Sequence, residues 1–580
     1  MDHQRNTQNV IPTNSTCNQS CTSSVCLFCI TREFNVHLRR NRISDLFKTL
    51  PELNEDENIL VLSWLWNIAQ ARPDDPYEFT SLGVFECMGR MIQTGVHDKE
   101  WLSRGQNIYI PYYAAHVIGS YTMSKSEFAE KAVQAGVVPP LMELFRGKMS
   151  WVEQRVGVRV LGHLASYETT FSAIVAYEEE IVYLAMGIAS NCLEEVYEMN
   201  VVIKERDKRV KYHTDLLTRG IGGTEIENRK AEEWASQLQC WSLHLLSCFV
   251  YKSRCLDLIC KSTEFLDSLC DMWGGLVNDS CSAGYGLIRH LCYSKYGRKR
   301  IVERMKIVEC LGNLARSSDD WQYVGIESLL MLVKDPDTRF KVIDVAISFL
   351  VDLVELRTVN CKSNVGKKII SVLFLHSREV RQMIERRESE QVMGELKMDE
   401  RKVLVDLTKQ QGNMRFRSGD IEEALSKYSE GLELCPLKLR KERVVLYSNR
   451  AQCHLLLRNP DAAISDTTKA LCLVSPHTSH SKSLWRRSQA YDMKGLARES
   501  LMDCLMFVNC CTDGNSANNV NVPYYATHMI SKHMSDVWLF KDAQLKFSMK
   551  QSRHGHRLGV GNTRNTEPHI HHCRNEMKRT

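Results

Sequence analysis

The apolar residues of almost every long segment in this chain recur at the helical period, and no convincing strand alternation interrupts them. A chain built that way folds as packed helices, and 580 residues are enough to bury more than one core. Within the stretch 36–385 similar units come back. Ala135-Gly-Val-Val-Pro-Pro-Leu-Met-Glu-Leu-Phe is followed by Val156-Gly-Val-Arg-Val-Leu-Gly-His-Leu-Ala. Related endings occur at Leu65-Trp-Asn-Ile-Ala, Tyr113-Ala-Ala-His-Val-Ile-Gly and Cys310-Leu-Gly-Asn-Leu-Ala. A Gly and Pro at a sharp helix start, then a helix closing on small residues, describe units that stack on one another. Such a stack buries a continuous core between neighbours and leaves a long concave face on which a partner can lie.

These units resemble armadillo repeats. The resemblance implies an α-solenoid with a protein partner on its concave face, whose identity the sequence does not give. One armadillo activity is argued against by the residues themselves. Nuclear-import receptors of this type present Trp and Asn one helical turn apart, whereas here Asn67 is preceded by Ser63 and Asn313 by Glu309.

From Leu407 the pattern changes. Small residues at Gly412, Ala424 and Gly431 let two antiparallel helices approach closely, Gly419 makes the turn between them, and Pro436 ends the second. Tyr428 completes this first unit. The register returns with Ala451, Ala463, Ala470 and Pro476, and once more with Tyr491 and Gly495. The equivalents Gly412, Ala451 and Ser488 are 39 and 37 residues apart. This spacing resembles the tetratricopeptide (TPR) repeat, whose period is about 34. Longer loops at Lys438–Glu442 and His477–Ser481 would absorb the excess. Three repeats are expected over 395–512. A polar loop and then a helix covering the last repeat, from Pro523-Tyr-Tyr-Ala to Trp538-Leu-Phe, are expected over 513–545.

Five polar residues fall on the first helices of these repeats. Lys409 and Asn413 are four apart in the first, Asn449 lies in the second, and Lys482 and Arg486 are four apart in the third. Residues at i and i+4 share a helix face, and first helices line the groove, so the five converge. Two cations at that spacing repel, and an anionic ligand compensates them. A lysine point charge, two amides and a planar guanidinium suit a chain-terminal carboxylate beside an Asp side chain. The constellation resembles the dicarboxylate clamp of co-chaperone TPR domains, which bind the Glu-Glu-Val-Asp ending of cytosolic Hsp70 and Hsp90. By that resemblance Lys409, Asn413 and Asn449 would hold the terminal Asp, Lys482 and Arg486 would complete the clamp, and Phe416 would line the apolar side. The armadillo-then-TPR order looks like a family of plant armadillo/TPR proteins; myosin-folding chaperones join similar modules in reverse.

The remaining segments say less. The first residues are polar, without the apolar region of a signal peptide, and no uncharged apolar run is long enough to span a membrane. Most of the 22 cysteines sit inside apolar helical runs, which reads as reduced core thiols in a cytoplasmic protein, with the nucleus left open. Cys17, Cys21, Cys26 and Cys29 crowd a head (1–35) too short for a zinc module, and the head is expected to be disordered. The tail (546–580) carries eight Lys or Arg against two Glu and five His, and is expected to be disordered too. His569, His571, His572 and Cys573 read as part of that flexible tail rather than a metal site. A net charge of +5 and the absence of a recognised motif argue against a nucleic-acid partner. No phosphate loop, metalloprotease motif or nucleophile elbow is present, and nothing asks for a cofactor or metal. The expectation is therefore an all-α, non-enzymatic adaptor: an armadillo-like α-solenoid, a three-repeat TPR domain with a C-terminal capping helix, a chaperone tail in the TPR groove and a second protein on the solenoid. The alternative is a structural scaffold whose armadillo face is the main platform and whose TPR repeats bind helices without selecting a carboxyl terminus.

Overall fold

The structure is a computed structural model, which describes residues 25–53, 55–276, 283–359, 362–474, 480–512 and 522–558. Among these, strand pairing is confined to Thr358–Val359 against Lys362–Ser363; everything else regular is helical. No helix among them is long and apolar enough to cross a membrane.

The N-terminal solenoid is organised around six inner helices that pack one against the next: α1 (Glu55–Ala71), α2 (Ile110–Ser124), α3 (Trp151–Ser166), α4 (Thr224–Tyr251), α5 (Ala283–Tyr293) and α6 (Gln322–Lys334). The approach to α3 illustrates how sequence sets the unit. Gly136 takes φ +75° where helix Ser126–Gln134 stops, and a proline stands in the first turn of the next helix, Val138–Phe145. There the ring's fixed φ suits the helix and its missing N–H leaves no donor unpaired. Ser150 then caps α3, accepting from the Val152 N–H at 3.2 Å. Val156, Val160, Leu161, Leu164 and Ala165 of α3 are buried, in a core that runs without a break from Leu27 to Val380.

Three of the small-residue endings lie on inner helices, at α1, α2 and α3. Cys310-Leu-Gly-Asn-Leu-Ala does not. It belongs to helix Met305–Arg316, which packs beside α6 and precedes it in the unit. The head also differs from expectation at its inner end: Leu27–Thr31 is helical, and Leu27 and Ile30 are buried against the solenoid core. The burial of these apolar residues fixes a segment that its polar surroundings suggested would be free. Cys26 and Cys29 there are half-buried, while Cys17 and Cys21 lie outside the described residues.

Six helices in three antiparallel pairs follow: α7 (Glu395–Arg417) with α8 (Ile421–Leu434), α9 (Arg440–Leu456) with α10 (Pro460–Leu473), and α11 (Ser481–Met493) with α12 (Ala497–Thr512). The residue before each second helix's cap has positive φ: Gly419 (+85°), Arg458 (+58°) and Gly495 (+71°). The loop expected at Lys438–Glu442 is shorter than that, because Arg440 already opens α9. The loop expected at His477–Ser481 ends with α11 starting at Ser481, and most of it lies outside the described residues.

Helix α13 (Tyr524–Asp536) covers the last pair, with Ala526 buried against Leu484, Cys504 and Phe507, and Tyr525 4.6 Å from the Trp485 ring. It ends before Trp538, not beyond it. Trp538 and Phe540 instead turn into the N-terminal solenoid, where both rings meet Tyr197 at 6.1 and 5.7 Å. Helix α14 (Lys541–Leu558) follows, in what the sequence suggested was the start of a disordered tail. Lys546 and Lys550 pair with Glu194 at 3.0 and 2.9 Å, which supplies the anions their run of positive charge lacks locally. The His-rich end, from His569, lies outside the described residues.

The two repeat regions are bolted together by arginines. Arg487 of α11, fully buried, pairs with Asp503 at 2.6 Å and donates to the Arg316 carbonyl and Ser318 hydroxyl, each at 2.6 Å. Arg443 at the start of α9 holds Glu355 through two bonds, one of 2.9 Å. Lys469 of α10 meets Glu379 at 2.9 Å. Arg443 acts from the start of α9 and Lys469 from second helix α10, whereas Arg487 lies in the middle of α11.

Candidate peptide-binding groove

The groove is lined by the first helices α7, α9 and α11. Gly412 and Tyr428 explain how its floor is built. A Cβ at Gly412 would lie 2.8 Å from the Tyr428 ring, so only glycine lets that ring tuck against α7. Tucked there, Tyr428 donates its hydroxyl to Asn413 Oδ1 at 2.7 Å, and Asn449 Nδ2 donates to the same oxygen at 3.3 Å. The two amides expected to share a ligand are thus joined directly, across neighbouring repeats.

Arg486 comes in from α11. Its Nη1 donates to the Ser448 carbonyl and hydroxyl, both at 2.7 Å, and its Nε donates to Gln452 Oε1 at 2.9 Å. Among the described residues these bonds occupy Nε and Nη1 and leave Nη2 unengaged. Arg486 is largely buried, and that burial pulls its pKa below the ordinary guanidinium value. Tyr428 is close enough to feel its charge, although burial is the stronger influence and pushes the phenol up to about 12. Lys409 sits one turn before Asn413 and pairs with Asp406 at 2.6 Å. Lys482, one turn before Arg486, is exposed; burial, and then the charges of Arg486 and Lys482, lower the pKa of neighbouring His480. Phe416 is half-buried and packs with Ile421, Leu425 and Tyr428 in the first repeat's core, so it supports the groove from behind as much as it lines it.

Asn413, Asn449 and Arg486 therefore share one patch, with Lys409 and Lys482 each a turn away along their helices. Tyr428, Ser448 and Gln452 position them and were not singled out from sequence as site residues. Tyr428 was visible only as a repeat-register position, and Ser448 and Gln452 carried no signal beyond lying near Asn449.

Residues 18–261 match the family model described as Plant ARM repeat. The chain carries a plant ARM repeat region. The inner-helix ladder of that ARM region continues past residue 261 to Lys334 with the same packing. A C-terminal part of the chain is similar to TPR proteins. It is 34% identical over 87 residues to Protein unc-45 homolog B of Danio rerio, covering 15% of this chain and 9% of that protein. It is 40% identical over 97 residues to the DnaJ homolog subfamily C member 7 homolog of Schizosaccharomyces pombe, covering 17% of this chain and 19% of that protein. The chain thus spans less than a quarter of the length of either relative. The crystal structure of an engineered protein aligns over 90% of this chain and 97% of its own, with 13% identity and a TM-score of 0.36, too loose a likeness to carry any inference. An ARM region followed by TPR repeats is a protein-interaction architecture.

Proposed function

We propose that this ARM–TPR chain is an adaptor whose TPR groove binds the acidic C-terminal tail of an Hsp70- or Hsp90-type chaperone while the ARM region holds a second protein. The observation that carries the reading is the joined pair Asn413 and Asn449, with the Arg486 guanidinium entering from the third repeat and one of its nitrogens open. Two neutral amides and a guanidinium in one patch suit a terminal carboxylate, and charge-assisted bonds of this kind are roughly twice as strong as neutral ones. Similarity of the TPR part to a DnaJ homolog is in keeping with this reading. No covalent chemistry is part of this reading.

The scaffold alternative draws on one observation: Lys409 and Arg486 already have partners in the free chain, Asp406 for the first and Ser448 with Gln452 for the second. A groove that only packs helices would keep those bonds. A carboxylate ligand would take Lys409 from half-exposed Asp406, a pair that water keeps weak. Lys409→Ala and Arg486→Ala should each weaken binding of a peptide ending in Glu-Glu-Val-Asp by about tenfold or more, with helicity unchanged. Isothermal titration beside circular dichroism makes the comparison; wild-type affinity in both variants would leave the scaffold reading in its place.

A further inference from the structure

The inner face of the ARM region holds a cavity of ≈ 1340 Å³ that runs across α1, α2, α3 and α4. Its walls are aromatic, with Trp66 from α1, Tyr112 and Tyr113 from α2 and Trp234 from α4. At its base lies Arg155 of α3, only 7% exposed. The guanidinium stacks 3.9 Å above the Trp234 ring and donates to Gln237 Oε1 at 2.5 Å. These partners are neutral. Arg159, one turn further along α3, donates to His116 Nδ1 at 3.2 Å, again a neutral partner, because burial and the two arginines hold the His116 pKa well below its ordinary value.

No carboxylate among the described residues forms an ion pair with either arginine. The two whose charge reaches Arg155 are engaged elsewhere: Glu233 by Lys230 at 2.7 Å, and Glu153 by the Ser150 hydroxyl at 2.5 Å. Two cations at i and i+4 repel, here buried Arg155 and half-buried Arg159, and an uncompensated charge as deeply placed as that of Arg155 is among the costliest arrangements a core can hold. Stacking on tryptophan offsets part of that cost. An anion entering the cavity would offset much more.

We propose that this cavity binds an acidic peptide segment of a partner protein, with Arg155 receiving a Glu or Asp side chain and the surrounding aromatic rings receiving a neighbouring apolar one. The proposal gives chemistry to the second platform in the adaptor reading and is independent of the TPR groove. The space exceeds the roughly 300–1,000 Å³ typical of small-molecule sites. It also spans four stacked helices, the form in which solenoids take extended chains. The rest of the lining carries Lys211, Arg219 and Lys230 against Asp215 and Glu233; Glu233 is paired with Lys230 and Asp215 accepts from Tyr109 at 2.8 Å, so exposed Lys211 and Arg219 keep the balance positive.

The full chain is titrated, by fluorescence anisotropy, with labelled Gly-Glu-Phe-Glu-Glu-Leu-Gly, acetylated and amidated so that it offers no terminal carboxylate. A second peptide carries Lys in place of each Glu. The acidic peptide should bind about tenfold or more tightly than its lysine counterpart, and Arg155→Gln should remove about the same factor. Because Arg155 is buried, thermal melting accompanies that variant, and Lys211→Glu on the exposed rim tests the same electrostatics without touching the core. It should weaken binding about threefold. Arg486→Ala should leave binding unchanged, which separates this site from the TPR groove. No binding, equal affinity for the two peptides, indifference to Lys211→Glu, or loss in Arg486→Ala would each overturn the proposal.

Discussion

Glu153, next but one to Arg155 on α3, shows how single residues in this solenoid are set by burial. It is completely buried, and among the described residues its Oε1 has no hydrogen-bond partner. Desolvation raises its pKa from the usual carboxylate value to about 7, against the opposing Ser150 bond. The folded state therefore keeps a proton that the unfolded state has lost between about pH 4.5 and pH 7, and across that window the residue's contribution to stability falls as pH rises. Buried His213, lowered to about 4 by the same cause, acts in the opposite sense between about pH 4 and 6.5 and is common to wild type and variant. Glu153→Gln should therefore gain stability relative to wild type as pH rises from 5 to 8, by on the order of 3 kcal/mol at the upper end. Melting curves of the two proteins at pH 5 and pH 8 check it; a difference that does not change with pH contradicts the assignment.

At the scale of elements, the three TPR turns repeat one backbone conformation with two different residue types. Gly419 and Gly495 adopt positive φ without cost, whereas Arg458 holds φ +58° with an exposed side chain at the equivalent position. Arg458→Gly should raise stability by about 0.5 kcal/mol, the relief of strain outweighing the extra chain entropy of glycine. A thermal midpoint unchanged or lowered would show that Arg458 makes a compensating contact. The same turns show what sequence makes legible. Gly419, Gly495 and Pro436 announce helix ends because their backbone chemistry is local, and the small residues at Gly412, Ala424 and Ala451 announce close helix contacts. Arg458 carries no such mark. The two amides Asn413 and Asn449 were found because repeat register places them, while Tyr428, which joins them, looked like any core aromatic. Least legible was α14. Its lysines suggested a solvated tail, and the acids that hold them, Glu194 and Glu198, lie more than 300 residues earlier in the chain.

The whole molecule has its ARM and TPR regions joined twice, once through the arginine bolts and once through Phe540 and α14 returning to the ARM region. Arg487 is the most committed of these contacts, since Asp503, the Arg316 carbonyl and Ser318 all depend on it. Burial pushes the Asp503 carboxyl up and its arginine opposes that shift, so removing Arg487 strands an acid in the interface. Arg487→Met should destabilise the chain by about 3–5 kcal/mol, and Arg487→Met with Asp503→Leu should recover much of the loss. Denaturant melts of the single and double variants distinguish that from simple loss of packing, in which case the double variant would be the worse of the two. These contacts join the TPR groove to the ARM region, and the ligand chemistry of that groove is the central question. The most direct measurement titrates the full chain with a peptide ending in Met-Glu-Glu-Val-Asp and with the same peptide amidated at its C-terminus. Micromolar binding of the first that is lost on amidation is the predicted result. No binding, or equal binding of both, would contradict a carboxylate clamp at Asn413, Asn449 and Arg486.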